Sequence, residues 1–117
     1  MYEESCALPF IAAGPDYPTG RKTDIPISLV DLFPTFLNNF GIERDDEDGR
    51  PGSALLDLLD KPPQKRHVFS EYHALHFHHA VYMICDRRFK YIHYHNSQPE
   101  MYDLKTKHTQ HLSLIHI

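Results

Sequence analysis

The residue type with the most chemistry to offer in this chain is histidine. There are ten, and His67, His73, His76, His78 and His79 crowd into one short stretch. Imidazole can ligate a metal, carry a proton or hydrogen-bond a ligand near neutral pH. His76 and His78 fall on one face if their segment is extended, and His93 and His95 fall on one face of a later strand. Two such pairs could build a tetrahedral zinc site, which would make the chain a histidine-rich metal-binding module. A register that pairs His79 with His95 puts His78 on the opposite face, so exposed imidazoles are the simpler expectation. The second group is Glu71-Tyr72-His73, which is expected to end a strand at a loop, where binding groups collect. With His76 nearby in the following loop, these residues are the candidate substrate-binding rim. A core tyrosine between two solvated polar residues would give the same pattern.

No nucleophile is announced by motif. Neither Cys6 nor Cys85 has a matched histidine, no Gly-x-Ser-x-Gly elbow occurs, and no glycine loop is built to cradle phosphate. The acidic run from Glu43 to Gly52 lacks the spacing and closing glutamate of a calcium hand, and reads as a solvated linker.

The elements that must position these residues can be read from periodicity. HVFSEYHA, AVYMICDRRFKYIHYH and PEMYDL alternate as strands do, and the middle piece reads as a hairpin around Asp86-Arg87-Arg88. Closing Cys85 onto Phe89 would set Met83 against Tyr91 and Val81 against His93, leaving Tyr82, Ile84, Ile92 and the Lys90 stem on the other face. Upstream, Leu8 to Ala13 reads as a buried strand ended by Gly14-Pro15. Leu32, Phe33, Phe36, Leu37 and Phe40 form an apolar stripe at helical period. Asp31 as N-cap would leave Pro34 in the first turn, where its missing N–H costs nothing, and Gly41 stops the helix. Ser53 is expected to cap a short helix over 54–59, with Leu55, Leu58 and Leu59 on its apolar face.

Composition bounds the rest. A chain of 117 residues with 41% hydrophobic content can bury one core. A formal net charge of −4 and the lack of a basic stripe argue against nucleic acid as a partner. No apolar run approaches the roughly 20 residues of a membrane span. Two distant cysteines do not make a disulfide scaffold.

Several motifs then line up in order. MYEES with ALPFIAAGP, DIPISLVDLFPTFLNNFGI, DGRPGSALLDLL, VFSEYHA, AVYMICDRRFKYIHY and PEMYDLKT together resemble the C-terminal portion of the sulfatase family, in its choline-sulfatase-like and arylsulfatase-like branch. The resemblance implies an α+β fragment: the end of an alkaline-phosphatase-like α/β domain (1–42), an acidic linker with a short helix (43–66), and a small C-terminal antiparallel sheet (67–111). It also implies that Met1 is internal to a longer protein, whose missing N-terminal part is the first partner of this one. The implied activity is hydrolysis of a sulfate ester on a small molecule or glycan, by a formylglycine nucleophile with one bound Ca2+. None of the residues that carry that chemistry can be matched here, so the fragment alone is expected to be inactive and to bind no cofactor. Arg88, Lys90 and Tyr91 match a strand of the family and are expected to be structural. Ala7 stands where relatives often have arginine. A phosphodiesterase or phosphonate monoester hydrolase of the same superfamily is the neighbouring alternative. Residues 112–117, LSLIHI, depart from the family pattern and resemble a translated sequencing adapter, so a non-native tail is expected there.

Overall fold

The computed structural model describes residues 8–45, 49–73 and 80–105. It divides into two compact units, one of Ala12–Lys65 and one of Met1–Ile11 with Arg66–Ile117. Cys6, His76, His78, His79 and the 112–117 tail lie outside the described residues.

The first unit is organised by a buried aspartate. A 3-10 turn, Leu29–Asp31, runs directly into helix α1, Leu32–Asn39. Pro34 sits in the first turn of α1, as a helix start at Asp31 requires. Asp31 does not adopt the extended N-cap conformation expected of it: its φ of −75° and ψ of −17° are helical. Its carboxylate reaches backward instead, accepting the Ser28 N–H at 2.8 Å through Oδ2 and the Ser53 N–H at 2.9 Å through Oδ1. The Asp31 carbonyl accepts the Thr35 hydroxyl at 2.6 Å, and the Thr35 oxygen in turn accepts the Leu55 N–H at 3.1 Å. One fully buried side chain and its neighbour thus fasten the segment before α1 and the segment before helix α2, Leu55–Asp60, to the same point. Ser53 therefore contributes its amide to Asp31, and the extended residue flanking α2 is Ala54. Gly52 passes against the Val30 carbonyl, the group to which Pro34 has no N–H to give.

Gly41 ends α1 as expected, at φ +65°, with the Ile42 N–H returning to the Leu37 carbonyl at 2.9 Å. The linker is more tied than a solvated loop requires. Arg44 donates to the carbonyls of Gly52 and Arg50, and the Arg50 guanidinium lies 4.2 Å from the Phe33 ring centre. Ile25, Ala54, Leu55 and Leu58 are buried, whereas Phe36 and Phe40 remain 55% and 76% exposed, so much of the aromatic stripe is uncovered.

The second unit is a four-stranded antiparallel sheet in the order β1-β2-β3-β4: Val68–Tyr72, Val81–Cys85, Phe89–Tyr94 and Glu100–Asp103. Residues 8–13 form no strand, contrary to expectation. The described sheet holds no neighbour for them, and Leu8 and Ile11 are exposed. The register of the hairpin also differs from the expected one by a single residue. Cys85 pairs with Lys90, Met83 with Ile92 and Val81 with Tyr94.

The cause is a loop of two residues instead of three. The Asp86 N–H donates to the Phe89 carbonyl at 2.9 Å, and the Asp86 carboxylate accepts the N–H groups of both Arg88 and Phe89 at 2.6 Å. Neither Arg87 nor Arg88 needs the positive φ usual in such tight loops, because that carboxylate holds the turn. The shift exchanges the faces. Met83, Ile92 and Tyr102 form the buried cluster, with Val81, Cys85 and Tyr94 packed against it and Lys90 buried on the same side. The Glu100 carboxylate accepts both the Tyr94 and Tyr102 hydroxyls, at 3.0 and 2.7 Å, closing this face at the sheet's end.

The backbone N–H donors of Phe89 and Arg88 hold the Asp86 carboxyl below its ordinary value of 3.8, against the opposing pull of burial. Asp103 is lowered too, first by the Lys105 N–H and then by Arg88, whose guanidinium contacts it at 3.1 Å. A depressed folded-state pKa gives stability that is present above the unfolded value and lost as pH falls through the folded one. The hairpin is therefore expected to hold unchanged from neutral pH down to about 4 and to loosen below it. Following the Arg88 and Phe89 amide resonances against pH checks this. Their midpoint is expected below 3.8, and Asp86→Asn is expected to abolish the transition.

Candidate functional site

The strand alternation that builds the sheet splits the Glu71-Tyr72-His73 group. Val68, Ser70 and Tyr72 stand opposite Cys85, Met83 and Val81 on the side of the buried cluster. Glu71 stands opposite Tyr82, and Phe69 opposite Ile84, on the outer face. Tyr72 therefore turns away from its two neighbours, although at the edge of the sheet it keeps 52% of its surface exposed. His73 follows β1 directly and returns to Glu71: its Nε2 lies 3.6 Å from Oε2, and both side chains are more than half exposed. Exposure of that order makes the pair a weak, solvent-screened contact that leaves both groups available.

The outer face gathers two residues that the sequence pattern did not put in the rim. Tyr82 is flanked by His73 edge-on at a ring separation of 5.5 Å, by His93 at 6.2 Å, and by Phe69 at 6.3 Å. The ladder makes a straight row of Glu71, Tyr82 and His93 across three adjacent strands. The His95 N–H donates to the Ala80 carbonyl at 2.9 Å, continuing the same register by one step. His95 thus stands opposite Ala80 and not opposite His79, as the three-residue loop would have required. Counting a two-residue loop between Asp86 and Phe89 is what brings His93 across from Tyr82. That loop length was the missing signal.

The structure therefore brings together Glu71 and His73, sets Tyr72 on the other face, and leaves His76 outside the described residues. The assembled groups are a carboxylate, two imidazoles and a phenol around an aromatic surface: hydrogen-bond donors and acceptors with an apolar floor. Among the described residues, no group of three or more His, Cys, Asp or Glu is placed to hold a metal ion. Cys85 is half-buried, and its Sγ lies 3.2 Å from the Asp86 carbonyl oxygen on the buried face, with no imidazole facing it across the ladder. The outer face has the makings of a binding surface, and among the described residues it holds no nucleophile with its base.

Residues 1–115 match the family model described as the C-terminal region of N-sulphoglucosamine sulphohydrolase. Among curated proteins, the chain is 31% identical over 113 residues to arylsulfatase K of Danio rerio, covering 89% of this chain and 21% of that protein. It is 29% identical over 118 residues to arylsulfatase K of Homo sapiens, covering 91% and 22% respectively. The chain thus spans about a fifth of the length of the curated relatives it matches. Among solved structures, BT4656 in complex with its substrate D-glucosamine-2-N,6-O-disulfate superposes with a TM-score of 0.53 at 29% identity, over 64% of this chain and 17% of that one. A Bacteroides thetaiotaomicron protein assigned to the sulfatases gives a TM-score of 0.52 at 31% identity, with the same shares covered.

Proposed function

Because the chain belongs to the sulfatase family, as a member of its N-sulphoglucosamine sulphohydrolase C-terminal group, we propose that it works as the C-terminal part of a sulfuric ester hydrolase. The observation that carries this reading is the family match over residues 1–115, supported by the fold likeness of the described units. Residues 1–42 would complete a larger α/β domain, 43–66 would lead out of it, and 67–111 would form the small sheet beside the substrate. The substrate is a sulfated amino sugar or a related glycan, a choice supported by the disulfated glucosamine bound to BT4656.

In this reading the reactive groups belong to the part of the protein that precedes this chain. A formylglycine and a Ca2+ ion, the nucleophile and metal that the family likeness implies, find no fit among the described residues. Cys85 is flanked by Ile84 and Asp86 in a strand, and no described carboxylate cluster offers a cation cradle. The chain's own contribution is to bind and orient. Glu71 and His73, with His76 after them, are the proposed rim, Glu71 accepting from sugar hydroxyl or amino groups and the imidazoles donating to sulfate or hydroxyl oxygens, while Tyr72, on the other face, drops out of the group that the sequence suggested.

Expression of the longer reading frame that this proposal requires, followed by sulfate release from glucosamine 6-sulfate, tests the activity. Sulfate esters are expected to be cleaved in preference to phosphonate monoesters and phosphodiesters. A reversed preference would move the protein to the neighbouring branch of hydrolases. In that longer enzyme, Glu71→Gln and His73→Ala are each expected to raise KM about tenfold with kcat little changed, the signature of lost uniform binding. A collapse of kcat at unchanged KM would contradict the binding role.

A further inference from the structure

The rim read from the sequence runs along one strand, yet the outer face of the sheet runs across three. We propose that Tyr82 and His93 extend the rim sideways, forming with Glu71 and His73 a platform for the pyranose ring of a sulfated amino sugar. This rests on the sulfatase reading given above.

The geometry is set by the ladder. Glu71, Tyr82 and His93 are directly opposed on β1, β2 and β3, so their row is about 10 Å wide at the usual strand spacing. That is the scale of one monosaccharide with its substituents. The Tyr82 ring is the centre of the group, touched by His73 from one side and His93 from the other. An aromatic face takes the apolar C–H side of a sugar ring, and the polar groups around it take the hydroxyls and the charged substituents. Glu71 supplies an acceptor at one end of the row and His93 a donor at the other, with His73 beside the first.

Folding alone does not call for this arrangement. The core of this unit lies on the opposite face, in Met83, Ile92 and Tyr102. On the outer face, Glu71 and His73 have side chains 56% and 54% exposed, and Phe69 is 57% exposed. The chemistry also favours a sugar over other occupants. No described group of three ligands can hold a metal, and the row is one ring wide with hydrogen-bonding groups at both ends, which suits a single sugar.

The test is a nuclear magnetic resonance titration of the 117-residue chain with glucosamine 6-sulfate, with unsulfated glucosamine and inorganic sulfate run separately. The expected result is a saturable shift of the His73, Tyr82 and His93 ring resonances with the sulfated sugar. Tyr82→Leu should weaken binding about tenfold, Tyr82→Phe should retain it because the ring face remains, and His93→Ala should weaken it too. Shifts confined to other residues, equal shifts with inorganic sulfate alone, or ring shifts that depend on protein concentration without sugar would each overturn the proposal. The second arm is kinetic and does not depend on the isolated chain folding. In the longer enzyme, Tyr82→Leu and His93→Ala should raise KM and leave kcat in place. A chain that binds the sugar while its longer form cleaves no sulfate ester defeats the sulfatase reading and leaves the platform. A working sulfatase whose KM ignores both substitutions defeats the platform alone.

Discussion

Asp31→Ala is expected to destabilise the helical unit by about 2 kcal/mol, because it removes the acceptor from two part-buried backbone donors, those of Ser28 and Ser53. The carboxylate is fully buried and accepts the Ser28 and Ser53 amides, one from each side of α1. Removing it also relieves the burial of a charge, which offsets part of the loss. The two effects do not cancel, since a donor left unsatisfied costs its whole desolvation whereas the charge had its partners in place. Asp31→Asn keeps one acceptor oxygen and is expected to fall between the two. Amide exchange of Ser28, Ser53 and Leu55 reads the effect locally, so it does not require the whole chain to unfold as one unit. In the alanine variant Ser28 and Ser53 should lose protection together, whereas Leu55 should keep more of its own, because its acceptor Thr35 is tied to the Asp31 main-chain carbonyl, which the substitution leaves in place. Protection unchanged at Ser53 would show that the aspartate is not the fastening point.

Gly52→Ala should be comparably damaging, for a steric reason. A methyl at this position would lie 2.3 Å from the Val30 carbonyl oxygen and 2.9 Å from its carbon, and the residue holds φ +106°. Neither obstacle is the flexible end of a side chain, so the backbone itself would have to move. The expected loss is about 3 kcal/mol, combining left-handed strain with the clash. Gly20 and Gly41 are the internal controls. Both have positive φ but nothing within 4 Å of an added methyl. Alanine there should cost roughly 1 kcal/mol, the conformational part alone. Equal effects at all three glycines, measured by chemical denaturation, would show that the Val30 contact is not limiting.

What could be read from the sequence was whatever a short period determines. The strand segments, the helical stripe through Phe33, Phe36 and Phe40, the stop at Gly41 and the α+β class all follow from residues within one or two turns of each other. The hairpin register did not follow, because it depends on which atoms close the loop. A three-residue loop around Asp86-Arg87-Arg88 and a two-residue loop at Arg87-Arg88 have the same composition. What separates them is the Asp86 carboxylate accepting two amides ahead of it. That single step moved Ile92 and Lys90 to the buried face and His93 to the outer one. The role of Asp31 was half legible. Its place beside the helix start was evident, but a carboxylate bonded to a residue 22 positions on leaves no local trace. Leu8 to Ala13 has the composition of a buried strand and lacks one here, since strand pairing is a property of neighbours and not of a segment. In the candidate site, Glu71 and His73 were visible from the strand's end. Tyr82 and His93 join them through cross-strand neighbourhood, which appears once the register is known.

On the proposed function, these residues would give a sulfatase its substrate-facing sheet and not its reactive centre. The direct measurement is a side-by-side assay of a fluorogenic aryl sulfate, with the purified 117-residue chain in one arm and the longer reading frame in the other. Background hydrolysis is expected from the chain alone and sustained turnover from the longer protein. Turnover by the isolated chain, or a folded longer protein that releases no sulfate from any ester offered, would contradict that function.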